Sequence, residues 1–174
     1  MKKFVLFCLV SLFISSFPVF ASAPIATPTE DTPPITATQF TEKIGSVTNQ
    51  VCQIFDLSGE IFASAKADAD STAQENKLEK ATSEFSAALD DLKDFALDKK
   101  ENADTKAFCA NVDQALDSLD KFFALAETIM QALDENRDST KQQAELKALK
   151  NSLLNNMKTL ETLSPKIVNL PQGN

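Results

Sequence analysis

Between Asp104 and Glu135 the apolar residues fall at Phe108, Val112, Ala115, Leu119, Phe122, Ala126, Ile129 and Leu133. Their intervals alternate four and three, the spacing that keeps one stripe of an α-helix turned towards a partner helix. Cys109, Leu116, Phe123 and Met130 follow one position behind and widen the stripe on one flank. A second seam reads Phe40, Ile44, Val47, Val51, Ile54, Ser58, Ile61 and Ala65, widened by Cys52, Phe55 and Phe62, and predicts a helix over 36–69. A third, on Leu78, Ala81, Phe85, Ala88, Leu92 and Phe95, predicts one over 73–97. The fourth runs on Leu146, Leu149, Leu153, Asn156, Leu160 and Leu163 over 139–163, with Pro165 limiting its continuation. A buried Asn156 would fix register at some cost in stability, unless Met157 beside it takes the core position.

The breaks between seams carry helix-start signals: Ser71 with Gln74 or Thr72 with Glu75, then Asp104 or Thr105, then Ser139 with Gln142. Gly45 and Gly59 interrupt the first helix and weaken it by about 1 kcal/mol each relative to alanine, so close packing against a neighbour is the expected reason for them. Four amphipathic helices on short connections imply antiparallel neighbours. The expected fold is therefore all-α, an up-down-up-down four-helix bundle over 36–165. Residues 166–174 form a short tail able to pack through Ile167 and Leu170.

The chain ahead of the bundle reads differently. Lys2 and Lys3 precede an apolar run from Phe4 to Ile14, and Pro18 then leads to small residues. That run is short for a membrane span, and the pattern is that of a bacterial-type signal peptide, 1–21, cleaved between Ala21 and Ser22. The expected address is the periplasm or the exterior. Residues 22–35 are rich in Pro and Thr and have little to bury, as in a disordered leader. Cleavage after Ala21 would leave 153 of the 174 residues, a length that suits one domain.

Export changes the reading of cysteine. Cys52 and Cys109 are the two that survive cleavage, and in an oxidising compartment they are expected to form one disulfide, between the first and third helices. If connections are short and the second helix spans about 24 residues, the two cysteines come level. The same sum places the start of the first helix a few turns beyond that of the third. Such a staple would contribute roughly 4 kcal/mol in the chain-entropy model.

Composition limits the chemistry. The chain carries a net charge of −8, with no His, Trp or Tyr. Without histidine there is no Ser-His or Cys-His nucleophile pair, no His-built zinc site, no axial histidine or C-x-x-C-H motif for haem and no Glu-x-x-His di-iron pattern. An acidic surface argues against nucleic acid, which needs clustered cations. Asp91, Asp94 and Asp98 recur at helical spacing on the second helix, and Asp113, Asp117 and Asp120 on the third. The latter set points about 120° from its seam, towards solvent, so solubility is the expected role rather than a calcium site or a hydrolytic pair.

Charge is unevenly spread: residues 56–138 hold 20 acids against 9 bases, whereas 139–166 hold 2 acids and 5 lysines. The fourth helix is thus expected to be drawn to its acidic neighbours. Leu57, Leu97, Leu125 and Leu154 lie off the seams, and Leu57 with Leu125, on the same side of their respective seams, are the candidate partner surface. The function expected is non-catalytic binding, of another protein in a chaperone-like, inhibitory or immunity role. No catalytic residue, cofactor or resident metal is expected, and no membrane anchor after cleavage. The alternative is a carrier for a small apolar ligand, held among the phenylalanines and alanines of the core.

Overall fold

Each amphipathic stretch forms a helix because its stripe can be covered only by the stripes of the others. The computed structural model describes residues 35–173 and contains four helices: α1 (Ala37–Lys66), α2 (Thr72–Leu97), α3 (Ala103–Asp134) and α4 (Thr140–Val168). No strand occurs among the described residues, apart from one isolated bridge between Lys99 and Gln172. The expected signal peptide, its cleavage point and nearly all of the expected leader lie outside the described residues. Within them, no helix is long and apolar enough to cross a membrane.

Cross-helix contacts fix the topology. Phe40 stacks on Phe95 with ring centroids 4.3 Å apart, and Lys43 pairs with Asp91 at 2.6 Å, so α1 and α2 run antiparallel. Lys93 reaches Asp113 from α2 to α3 at 2.6 Å, and Lys166 reaches Asp104 from α4 to α3 at 3.0 Å. Thr48 donates to Glu161 at 2.9 Å and Lys150 pairs with Asp56 at 3.1 Å, closing the ring between α1 and α4. The four helices form an up-down-up-down bundle in which each chain neighbour is a spatial neighbour, and two lysines of α4 are indeed held by acids of α1 and α3. Phe40, Phe85, Phe108, Phe122 and Met157 are among the largest fully buried side chains. Met157 occupies the core position where Asn156 was the sequence alternative, and Asn156 is half-buried beside it.

Helix ends follow local chemistry with shifts from expectation. A reciprocal box between Thr36 and Gln39 starts α1, and another between Asn102 and Thr105 starts α3, so that the cap lies two or three residues before the expected Asp104 or Thr105. At the starts of α2 and α4 neither Ser71 nor Ser139 caps the backbone through its side chain. Instead the Asp70 carboxylate accepts from the backbone N–H of Thr72 at 3.0 Å and its hydroxyl at 2.7 Å, and Asp138 does the same for Thr140 at 3.0 and 2.6 Å. α4 also continues through Pro165. The ring costs one helical hydrogen bond, but Ile167 beyond it is fully buried, and the Asn169 side chain donates to the Pro165 carbonyl at 2.7 Å. The chain then turns onto the α2–α3 connection, where Lys100 N–H donates to the Pro171 carbonyl at 2.9 Å and Gly173 N–H to that of Asp98 at 2.8 Å. This strap covers Lys99, whose ammonium lies 4.5 Å from the centre of the Phe95 ring.

Two expectations fail on register. Phe40 lies against Phe108 at 5.4 Å and Phe55 against Phe122 at 5.1 Å, so each residue of α1 is level with one about 67 positions further on in α3. The two helices therefore start level, and α1 has no overhang. Cys52 and Cys109 are only 57 positions apart, which leaves them out of line by about 15 Å along the axis, whereas a disulfide needs Cα atoms within about 7 Å. They also line different grooves: Cys52 shares a flank with Thr48 and Asp56, which bind α4, and Cys109 shares one with Asp113, which binds α2. Both are half-buried free thiols, and the expected staple is corrected accordingly. Gly45 and Gly59 correct a second reading. Both are exposed, and a Cβ added at either would meet nothing within 4 Å, so neither is there for close packing.

The register exposes an internal repeat. At a spacing of 68, Phe40 matches Phe108, Phe55 matches Phe123, Leu57 matches Leu125, Ile61 matches Ile129, and Asp70-Ser71-Thr72 matches Asp138-Ser139-Thr140. The loops agree in backbone as well. Asp68 and Asn136 both adopt φ 53°, and the next N–H reaches back to close each helix, Ala69 to the Ser64 carbonyl at 2.9 Å and Arg137 to that of Ala132 at 2.7 Å. The bundle is thus two versions of one helical hairpin, exchanged by an approximate half-turn about the bundle axis.

Candidate interaction surface

The pair singled out by sequence does not form one patch. Leu57 lies two heptads beyond Lys43, on the flank of α1 turned to α2, and is only 8% exposed. Leu125 lies three heptads beyond Asp104, on the flank of α3 turned to α4, and is half-buried. As counterparts in the two hairpins they sit on opposite sides of the bundle, each helping to seal a hairpin. Leu154 is half-buried too, and the large apolar side chain that stands exposed among the described residues is Leu97, at 61%.

The open apolar surface lies elsewhere. α1 packs along α2, and α3 along α4, more extensively than α2 packs along α3. The flanks of α3 register the difference. Towards α4, Ser118 and Ala132 are buried and Leu125 is half-buried; towards α2, Met130 is buried at the far end of the row, and Cys109, Leu116 and Phe123 are half-buried along the rest of it. The α2 residues opposite are short. Ser86 is half-buried, and the Thr82 hydroxyl turns back onto its own helix, donating to the Leu78 carbonyl at 2.9 Å. Leu97 stands at the end of this groove, near the level of Cys109.

Carboxylates rim the groove: Asp90 from α2, and Asp113 and Asp120 from α3, with Asp94 and Asp117 outside them. Asp113 is paired with Lys93. Partial burial pushes the Asp90 carboxyl up, helped by Asp94 and opposed by Lys93. Burial and then Asp117 push Asp120 up in the same way. Among the described residues no ion pair reaches either one, so the groove holds negative charge that its own lysine does not balance. The Cys109 thiol is also raised, chiefly by burial, with Lys93 acting against it, which makes it a poor thiolate at neutral pH.

The groove between α4 and α1 occupies the equivalent place in the repeat. There Phe55, counterpart of Phe123, is buried, and the Lys150 ammonium lies 5.9 Å from its ring centre while pairing with Asp56. The charge reverses at two positions, with Lys158 in place of Asp90 and Glu161 in place of Lys93, and is absent at two others, with Gly45 in place of Asp113 and Cys52 in place of Asp120. Among the described residues no group of three or more Cys, Asp or Glu side chains is placed to hold a metal ion. The heptads pointed to the apolar flank of α3; the small size of Ser86 and Thr82 on the facing helix, visible in sequence only by aligning the two hairpins, was the signal that the flank stays uncovered. Compared with known proteins, the chain matches no family model, no curated protein and no solved structure.

Proposed function

We propose that this chain is an exported helical bundle that acts by non-catalytic binding, and that its ligand is another protein. The observation that supports this most is the α2–α3 groove, where Leu116 and Phe123 remain half-exposed and Leu97 exposed on a surface otherwise strongly acidic. Apolar area left open inside a charged rim is the arrangement of a protein interface, with the rim setting orientation and encounter rate. The basic, apolar start of the chain supports export, and the absence of histidine removes the common nucleophile-base pairs. A chaperone-like, inhibitory or immunity role fits these properties.

A photo-reactive side chain at position 97, in the full chain expressed in its own host, tests the reading. Crosslinking to one protein in the envelope fraction, absent when the probe is moved to exposed Gly45, is the expected result. A chain that stays uncrosslinked from position 97 in its own compartment overturns it.

A further inference from the structure

The two grooves of the repeat differ in what covers their aromatic floor, and the difference names a ligand chemistry. In the α4–α1 groove Phe55 is covered from within: Lys150 lies over the ring, and Leu154 stands one turn further along. Their counterparts in the α2–α3 groove are Thr82 and Ser86. Neither is long enough to cover Phe123, and the Thr82 hydroxyl is already directed back to its own backbone. The place that one hairpin fills with a lysine and a leucine is left half-open in the other, and the rim above it carries Asp90, Asp113 and Asp120. Lys93 neutralises Asp113 at 2.6 Å. The remaining two, Asp90 and Asp120, are exposed beside it, each with a like charge on its own helix, Asp94 and Asp117, a repulsion that an incoming cation would relieve.

We propose, building on the protein-binding reading, that the α2–α3 groove receives one face of a lysine-bearing amphipathic helix from a partner protein. A leucine of that helix lies along Leu116 and Leu97, and an ammonium sits over Phe123 between Asp90 and Asp120, reproducing from outside what Lys150 does inside the second groove. Cation–π contact and charge complementarity act together at one place, and a helix laid in a groove presents such residues at intervals of three, four and seven. The partner is expected to be basic, since its binding face must oppose the charge that runs along both rims.

The probe is a synthetic amphipathic peptide of about 18 residues, long enough to span Cys109 to Phe123, with leucines on one face and lysines flanking them. Controls carry the same composition in scrambled order, or glutamate for every lysine. Titrated into the mature chain, the ordered lysine peptide is expected to bind, and to weaken at least tenfold between about 0.05 and 0.5 M salt. Asp90→Asn with Asp120→Asn, and separately Phe123→Ala, are each expected to weaken binding about tenfold. Glu161→Gln in the α4–α1 groove should leave it unchanged. The two asparagines relieve repulsion, so that variant stays folded; circular dichroism checks Phe123→Ala, and Phe123→Thr serves if it unfolds.

Equal binding of the scrambled peptide would reduce the effect to bulk charge and overturn the proposal. Loss with Glu161→Gln alone, or self-association of the chain through the groove, would also overturn it. Capture from position 97 of a partner with no basic amphipathic helix sinks this inference and leaves the binding reading standing, whereas no capture at all removes both.

Discussion

The two helical hairpins share a register and a loop geometry, yet the equivalent flank is covered in one and partly open in the other. Phe55 and Phe123 show it best. Both follow a core position by one residue and both border a groove to a neighbouring hairpin. One is buried beneath Lys150 with Glu161 and Thr48 bonded beside it, the other half-open beneath Thr82 and Ser86 with acids around it. Core and loop positions must satisfy the same packing and capping geometry in each hairpin; the loops share Asp-Ser-Thr, and the cores share residues at Phe40 and Phe108, Ile61 and Ile129, Leu78 and Leu146, and Leu92 and Leu160. The flanks carry no such constraint, and there the acids of one groove are replaced by a lysine or by uncharged residues in the other. A difference confined to flanks, in a fold that repeats itself, is a difference in what each surface meets.

The sharpest way to break the comparison is to truncate the paired rings. Phe55→Ala removes a buried side chain and the ring beneath Lys150, and should cost about 3–4 kcal/mol. Phe123→Ala removes a ring already half in water and should cost about half as much. Urea titrations of the two variants check this, and equal losses would mean that the second groove is closed in solution.

How far this was legible beforehand depended on what each signal measures. The seams through Phe40, Phe85, Phe108 and Leu153 report which side of a helix is buried, and the four helices and their antiparallel order followed from them. A heptad is unchanged by sliding seven residues, so it carries no information on height. That is why Cys52 and Cys109 could be placed level on the sequence while the contact of Phe40 with Phe108 sets them about 15 Å apart. The capping serines misled for a local reason. Asp70 and Asp138, one residue earlier, accept two hydrogen bonds each, which displaces Ser71 and Ser139 from the capping role. The doubled Asp-Ser-Thr at a spacing of 68 lay in plain view. It marks the repeat that pairs the two grooves, and hence the open one.

The loops supply the next test, because there the hairpins should behave alike. Asp70→Ala and Asp138→Ala should lower the melting temperature by similar amounts. Hydrogen bonds from Thr72 and Thr140 hold both carboxyls below their ordinary value. A lowered folded-state value means that the stabilisation is fully present above the ordinary carboxyl range and is lost as pH falls through the lowered one. The penalty of each substitution should therefore shrink in acid. Unequal penalties at neutral pH would show that the shared loop geometry hides different energetics.

On α1 the flank next to the α4 groove contains Gly45 and Gly59, exposed and with open space at the missing Cβ. Alanine at each should stabilise by about 0.8 kcal/mol, since helical backbone entropy is recovered without a clash. Melting of the double variant checks the sum. A smaller step on the opposite groove is Asp120→Asn. Its carboxyl is raised by burial and by Asp117, so the folded state is penalised at neutral pH and the penalty fades as pH falls and the folded-state carboxyl protonates first. The substitution should raise stability slightly at pH 7, and less at pH 4.

The smallest effect expected is none at all. With Cys52 facing the α4 side and Cys109 the α2 side, out of line by about 15 Å, the chain has no staple for a reductant to cut. A bonded pair would have constrained a long loop of the unfolded chain by roughly 4 kcal/mol, a loss visible as a large drop in melting temperature. A chain beginning at Ser22, purified without reductant, should melt at the same temperature with and without dithiothreitol, and both Cys52 and Cys109 should take up iodoacetamide once unfolded. A reductant-dependent melt would require α3 to slide against α1 by about 15 Å, roughly three helical turns. It would part Phe40 from Phe108, and with them the register on which the pairing of the two grooves depends.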